Sequence, residues 1–207
     1  TERFIKYSIA ATERAIAAFG IEDAATHIDR AMATFEGEPG DDDTAWLYAL
    51  SAQVHSSLRD LDKVLGPLNK AFDYFAMSGN VERCVQIAKL KLISGFLITG
   101  MVPIRERTVE MLPDDSPDRA LLLLQLFRTY GLGSEAADRI FKEAETIIRS
   151  IDDPALIVEL AYAKIFLATR ENKPELVIEA AEEAEPLFEE VDSPLAESWI
   201  RGNLGGI

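Results

Sequence analysis

Apolar residues recur at every third or fourth position through nearly all of this chain, and turn-forming residues interrupt the pattern at regular intervals. This spacing places apolar side chains on one face of an α-helix, whereas the alternation typical of β-strands is absent. The segments between interruptions are mostly about 11 to 20 residues long, which is an ordinary helix length. The sequence therefore predicts an all-α protein with about eleven helices.

Several helix starts are marked by a polar residue and a proline. Asp153-Pro154 and Ser193-Pro194 each combine a side chain that caps a first turn with a proline that fits there. The acidic run that ends at Asp43 predicts caps for a helix near Thr44. A calcium loop is disfavoured at this run, because the alternation of oxygen ligands fails directly after it.

A second pattern recurs in the later helix of successive helical hairpins. A small residue is followed four positions on by a large apolar residue, and three positions after that by another small one. Small side chains let neighbouring helices approach closely, and a further large residue fills the adjoining groove. The stripes are Ala24, Ile28 and Ala31 with Phe35; Val64, Leu68 and Ala71 with Phe75; Ala137, Phe141 and Ala144 with Ile148; and, more loosely, Val177, Ala181 and Ala184 with Phe188.

The first two stripes begin 40 residues apart, and so do the last two. A period near this length, with two helices in each unit, is typical of a stacked solenoid. We therefore expect a single helical-repeat domain over residues 1–207, with about five hairpins and a terminal helix. The expected bounds are 1–36, 42–78, 79–113, 116–150, 153–190 and 193–207, the last being the first helix of a truncated repeat.

Three segments resemble the tetratricopeptide repeat. Trp46-Leu47-Tyr48 with Ala52 resembles a first helix, residues 108–113 resemble the end of a second helix, and Trp199 with Asn203-Leu204-Gly205 resembles another first helix. The resemblance implies a right-handed α-α superhelix in which the first helices line a concave groove. Because no second helix follows the last of these segments, we expect the chain to be a fragment of a longer array.

Two other segments resemble the helical arm of large LuxR-type transcriptional regulators, which carry an ATP-binding module and a C-terminal DNA-binding domain. One is the hairpin 101–107 before Leu112-Pro113-Asp114-Asp115-Ser116, and the other is the Ala-rich hairpin that ends at residues 150–154. The resemblance implies a role in signal transduction and transcription regulation, with any ATP site of the parent protein outside this segment. Similar arrays also follow ATPase modules in other signalling proteins, so a different parent stays open.

The excess of acidic residues disfavours nucleic acid as a partner. The chain has 21 Lys and Arg against 36 Asp and Glu, a formal charge of −15, which repels phosphate backbones and argues against direct nucleic-acid contact.

The longest uncharged apolar stretch, 92–104, has 13 residues, whereas a membrane span needs about 20. The N-terminal residues lack the pattern of a signal peptide, and the single Cys84 excludes a disulfide framework. We expect an acidic cytoplasmic protein with no membrane contact.

Catalytic and cofactor chemistry is not indicated. Gly95 and Gly100 have the spacing of a phosphate-binding loop, but Met101-Val102 stands where Lys and Ser or Thr are needed. His27 and His55 lie in different hairpins without a second ligand at helical spacing. We therefore expect a segment that is not an enzyme and holds no cofactor or metal. An enzyme on an α-solenoid is the remote alternative.

Arginines and aromatic residues dominate the energetics of binding surfaces. In tetratricopeptide arrays, positions two, five, nine and twelve of each repeat face the groove. Carried over by the resemblance, they select candidate partner-binding residues here: Trp46, Gln53, Arg83, Gln86, Arg119, Thr129, Tyr162 and Arg170. With Glu82 included, the span to Arg107 carries a local charge of +3, which favours an acidic peptide or an anionic effector. The alternative is that several of these side chains only pair with neighbouring carboxylates.

The sequence thus favours a non-catalytic scaffold that binds a protein, a peptide or a small effector. By resemblance it is the signal-sensing arm of a LuxR-type ATP-dependent regulator. The rival interpretation is a constitutive adaptor or oligomerisation scaffold in another multidomain signalling protein, in which exposed end hairpins join copies of the parent.

Overall fold

The computed structural model describes residues 2–34, 37–90, 99–130 and 135–205, and these ranges contain eleven α-helices and no strand. The prediction of an all-α chain is confirmed for this part. None of these helices is both long enough and apolar enough to cross a membrane. In chain order α1 to α11, the helices are Glu2–Ala17, Ile21–Met32, Asp42–Ser57, Leu65–Ser78, Val81–Ala88, Val102–Met111, Pro117–Tyr130, Glu135–Ile151, Pro154–Glu171, Pro174–Ala184 and Pro194–Leu204.

The chain divides into two compact units, Thr1–Thr108 and Val109–Ile207, with the boundary inside α6. In the first unit, α1 and α2 pack against each other and against α3, α3 packs against α4, and α4 contacts α5. In the second unit, α7 packs against α8, and α9 contacts α7, α8, α10 and α11. In the first unit α1, and in the second unit α7 and α9, therefore pack against both the next helix and the one after it.

The predicted packing stripes of the first unit are buried. In α2, Ala24, Ile28 and Ala31 have 0% exposure, and they share a core cluster with Leu47 and Val54 of α3. Full burial of an aliphatic side chain such as Ile28 contributes about 2 kcal/mol to folding. The equivalent stripe around α4 has 0% exposure throughout, at Val64, Leu68, Ala71 and Phe75. Phe35, the large residue predicted to complete the α2 stripe, lies outside the described residues.

The second unit buries its stripes in the same way. In α8, Ala137, Ala144 and Ile148 are fully buried, while Phe141 is half-buried. The looser stripe of α10 is also buried and joins α9 and α11 in one cluster, which includes Val158, Ile165, Val177, Ala181, Ala184 and Ile200. Phe188 packs against this cluster and remains half-buried. Small residues at these positions allow the close approach of helices that the sequence predicts.

Two of the predicted helix caps are present. The Asp41 side chain accepts a hydrogen bond from the Thr44 backbone N–H at 2.8 Å, and Thr44 Oγ1 accepts one from the Asp41 backbone N–H at 3.1 Å. This reciprocal capping box begins α3. Asp153 caps α9 by accepting from the backbone N–H of Ala155 at 2.8 Å. Ser193 makes no side-chain cap at α11, so the cap predicted there is wrong.

Side chains on alternate helices meet at sequence separations shorter than the predicted period of about 40. Trp46 bonds to Glu13, 33 residues away, and Thr169 bonds to Asn203, 34 residues away. The observed contacts are close to the 34-residue spacing of tetratricopeptide repeats.

Candidate functional site

A stacked side-chain cluster joins three helices in the first unit. Trp46 of α3 is half-buried and packs against the core cluster of that unit. Its indole Nε1–H donates to Glu13 Oε1 of α1 at 2.9 Å. The hydrogen bond fixes the ring orientation, so that the face of the indole is presented to α5.

Arg83 of α5 lies over that face. Its guanidinium carbon is 4.0 Å from the Trp46 ring centroid, and its Nη1–H donates to Gln86 Oε1 at 2.7 Å. Gln86 Nε2 in turn donates to Glu82 Oε1 at 3.5 Å. Three of the sequence-predicted residues (Trp46, Arg83 and Gln86) therefore come together, and an aromatic ring and a neutral amide hold a planar cation in one orientation.

A second stack joins three helices in the other unit. The guanidinium carbon of Arg128 in α7 is 4.6 Å from the Tyr162 ring centroid in α9, and Arg128 Nη1 is 3.3 Å from Glu159 Oε2. The Tyr162 and Trp199 ring centroids are 5.7 Å apart in a tilted pair that reaches α11. Tyr162 was predicted from sequence, whereas Arg128, Glu159 and Trp199 were not among the predicted site residues.

Arg119 is occupied within its own unit. Its Nε–H donates to Glu143 Oε1 at 2.9 Å, and its Nη1–H donates to the carbonyl oxygen of Val109 at 2.8 Å. The side chain is only 17% exposed. For this residue the structure matches the alternative of pairing with a neighbouring carboxylate, and the side chain links α6, α7 and α8.

The other three predicted residues lie apart from the stacks. Gln53 is half-buried on α3, two helical turns beyond Trp46. Thr129 is half-buried, and its hydroxyl donates to the carbonyl oxygen of Gln125 in its own helix at 2.9 Å. Arg170 is exposed, with its guanidinium carbon 5.2 Å from the ring centroid of Phe166. None of the three contacts another predicted site residue through a described bond.

The basic span between Arg83 and Arg107 is partly neutralised. Arg107 pairs with Asp73 at 2.6 Å, and Arg105 is buried with its Nε–H donating to the carbonyl oxygen of Ala88 at 3.2 Å. Lys91, which contributes to the predicted local charge, lies outside the described residues. Among the described arginines of this span, Arg107 also lies over a ring, with its guanidinium carbon 4.7 Å from the centroid of Phe72, but its partner is a carboxylate, whereas the partner of Arg83 is an amide.

Two cavities accompany the second unit. One, of about 260 Å³, combines apolar Phe141 and Leu167 with charged Lys164, Glu179 and Glu183. The Arg149 guanidinium bonds to Glu183 and holds the pKa of that carboxyl below its ordinary value. The other cavity, of about 420 Å³, is lined by polar and small residues between the end of α9 and α11, including Thr169, Asn172, Lys173 and Asn203.

The reactive side chains outside the two stacks include the buried residues His55 and Cys84. Among the residues that the structure describes, no group of three or more His, Cys, Asp or Glu side chains is placed to hold a metal ion. His55 is buried, with Nε2 3.4 Å from Asp29 Oδ1 and Nδ1 3.7 Å from Asp60 Oδ2. Cys84 is also buried, and burial raises the pKa of its thiol, an effect that the charge of Arg107 opposes.

Comparison with known proteins adds no identification. No protein-family model, no curated protein and no solved structure matches this chain.

Proposed function

We propose that this chain is a non-catalytic helical-repeat module that binds a protein, a peptide or a small effector through the stacked side chains of its odd-numbered helices. In this proposal it is the cytoplasmic signal-sensing arm of a LuxR-type ATP-dependent regulator. A right-handed tetratricopeptide-like superhelix is the fold that goes with it. The side-chain contacts at separations of 33 and 34 residues support that fold, because they match the length of the repeat.

The observation that carries the binding proposal is the stack of Arg83 on Trp46, which connects α1, α3 and α5 through Glu13. Tryptophan and arginine are the residue types most enriched among binding hot spots. Both side chains are half-buried and held by hydrogen bonds, so they lose little side-chain entropy when a ligand binds to them. Pre-ordered, partly exposed hot-spot residues are typical of a recognition surface.

The same contacts give a mechanism for sensing. In each unit the stacks join side chains of successive odd-numbered helices, so a ligand that contacts both members of a stack favours one spacing of those helices. Repeat proteins pass such changes from neighbour to neighbour. A ligand that prefers one helix spacing shifts the population toward it. Signal binding in the arm is then transmitted to the attached modules.

The binding proposal is tested by panning a phage-displayed library of random dodecapeptides against the chain. Binding of the enriched peptides is then measured by isothermal calorimetry for the chain and for the double variant Arg83→Ala, Tyr162→Ala. We expect enriched peptides whose affinity falls about tenfold or more in the double variant. The matched control is Arg139→Ala, which removes an exposed arginine of α8. The absence of any enriched peptide, or affinities unchanged in the double variant, would refute the proposal that the stacked side chains form a binding surface.

The regulator assignment has its own test, which is the mass of the native protein in its cells. A mass several times 22.9 kDa, with peptides from a phosphate-binding loop and a helix-turn-helix, supports a LuxR-type parent. A native mass equal to that of this chain contradicts it.

A second candidate function is self-association through α11. Trp199 and Leu195 are large apolar residues of that helix with 38% and 59% exposure. Exposed apolar side chains on one helix favour contact with a second copy. Light scattering after gel filtration separates the two candidates. A dimer that is lost in Trp199→Ser supports the oligomerisation scaffold, whereas a monomer at all concentrations rejects it.

A further inference from the structure

We propose that Arg83 binds the side-chain carboxylate of an acidic residue in a partner protein segment. This inference rests on the proposed binding function and assigns its ligand chemistry. The described contacts of the Arg83 side chain are the ring of Trp46 at 4.0 Å and the amide oxygen of Gln86 at 2.7 Å. No carboxylate among the described residues forms an ion pair with it, in a chain that has 36 acidic residues.

The contrast with the other half-buried arginines shows what Arg83 lacks. Arg128 also stacks on an aromatic ring, but it pairs with Glu159, and both side chains are under 20% exposed. Arg119 pairs with Glu143 at 2.8 Å. A half-buried guanidinium that pairs directly with no carboxylate carries a desolvation cost that an ion pair would offset. At Arg83 a ligand carboxylate would take the place that Glu159 takes beside Arg128.

The geometry of the stack suits a carboxylate. A guanidinium has five N–H donors in a planar fork, and the described bonds of the Arg83 side chain use one of them. The guanidinium of Arg83 lies over the ring of Trp46, and its hydrogen bond to Gln86 fixes its rotation over that ring. The donors that remain point along the edge of the fork, where a carboxylate accepts two parallel hydrogen bonds.

The surrounding charges favour a single carboxylate over phosphate or an acidic run. Glu13 and Glu82 belong to the same cluster, and both are exposed. They repel a doubly charged phosphate more strongly than a singly charged carboxylate. The formal charge of −15 opposes a polyacidic segment in the same way. The half-buried indole of Trp46 adds an apolar contact. The expected ligand is therefore one Asp or Glu flanked by apolar residues.

The test uses the enriched library peptides as synthetic peptides with an acetylated amino end and an amidated carboxyl end, so that a side chain supplies the only carboxylate. We expect Asp or Glu at a common position. Replacing that residue by its amide should weaken binding to the chain about tenfold. In Arg83→Gln the same replacement should change affinity less than about twofold, because the two changes remove one interaction.

Two further variants keep the result interpretable. Arg83→Lys keeps the charge but loses the planar fork, and it should bind the acidic peptide about fivefold or more weakly than the chain itself. Arg139→Gln should bind like the chain itself, and circular dichroism checks that each variant is folded. Enriched peptides without acidic residues, or an acid-to-amide effect that persists in Arg83→Gln, would overturn the carboxylate site and leave the binding function standing. The absence of any enriched peptide would overturn both.

Discussion

Replacing Phe19 by glycine is expected to stabilise the first unit. Phe19 ends the α1 turn with a φ of 58°, and its side chain is 91% exposed. The left-handed conformation costs a non-glycine residue about 1 to 2 kcal/mol. Glycine has more conformational freedom in the unfolded chain, and this lowers the gain in stability by about 0.5 to 1 kcal/mol. Because the exposed ring loses little packing, the net gain in the free energy of unfolding is about 0.5 to 1 kcal/mol.

Gly79 provides the matched change in the opposite direction. It ends α4 with a φ of 73°, and an added Cβ meets no atom within 4 Å. The cost of Gly79→Ala is therefore conformational and not steric, about 1 kcal/mol. Both positions lie in the unit Thr1–Thr108, so the two variants report on the same set of contacts.

Urea unfolding followed by circular dichroism at 222 nm measures both variants against the unchanged chain. We expect the midpoint to rise for Phe19→Gly and to fall for Gly79→Ala, with unchanged slopes. In thermal unfolding the shifts should be about 1 to 4 °C in each direction. A loss of stability in Phe19→Gly would mean that the phenyl ring makes contacts that compensate for its backbone conformation, and it would refute this reasoning.

Three other predictions concern single side chains. Asp41→Ala removes the capping box of α3 and should lower the free energy of unfolding by about 1 kcal/mol in urea titrations, whereas Asp41→Ser should restore most of it. The Glu183 pKa is lowered by Arg149, so its stabilisation is present above the ordinary value of 4.5 and is lost as the pH falls through the lowered value. Glu183→Gln should therefore cost about 0.5 kcal/mol at pH 7 and progressively less at pH 4 and below, and an equal cost at both pH values would contradict this sign. Cys84 is buried with a raised thiol pKa, so its reaction with Ellman's reagent at pH 8 should be at least about 100-fold slower in the folded chain than in urea, and equal rates would disprove its burial.

The sequence predicted the helical class and the buried stripes because both depend on local spacing. Ala24, Ile28 and Ala31 have to lie on one face of any helix that contains them, and that face is the apolar one. The caps at Asp41 and Asp153 were predictable for the same reason, since capping bonds join residues two or three positions apart. The solenoid and its handedness remain predictions.

The side-chain stacks could not be predicted from the spacing of residues along the sequence, because they depend on how the helices are placed in three dimensions. The bond from Trp46 to Glu13 is set by how α1 and α3 are offset along their axes, and loop lengths obscure that offset in the sequence. The pairing of Arg128 with Glu159 is equally non-local, at a separation of 31 residues. Resemblance to repeats selected Trp46, Arg83 and Gln86 together, but it also selected Arg119, which an internal carboxylate occupies.

The central proposal is that an acidic partner segment binds at the stack of Arg83 on Trp46, and the two tryptophans of the chain distinguish this stack from the one in the second unit. Trp46 lies in one stack and Trp199 in the other, and each gives one indole N–H signal in a ¹⁵N–¹H correlation spectrum. On titration with an enriched acidic peptide, we expect the Trp46 signal to shift while that of Trp199 stays in place. A shift of Trp199 alone would move the site to the second unit. A peptide that binds by calorimetry while both indole signals stay fixed would contradict the claim.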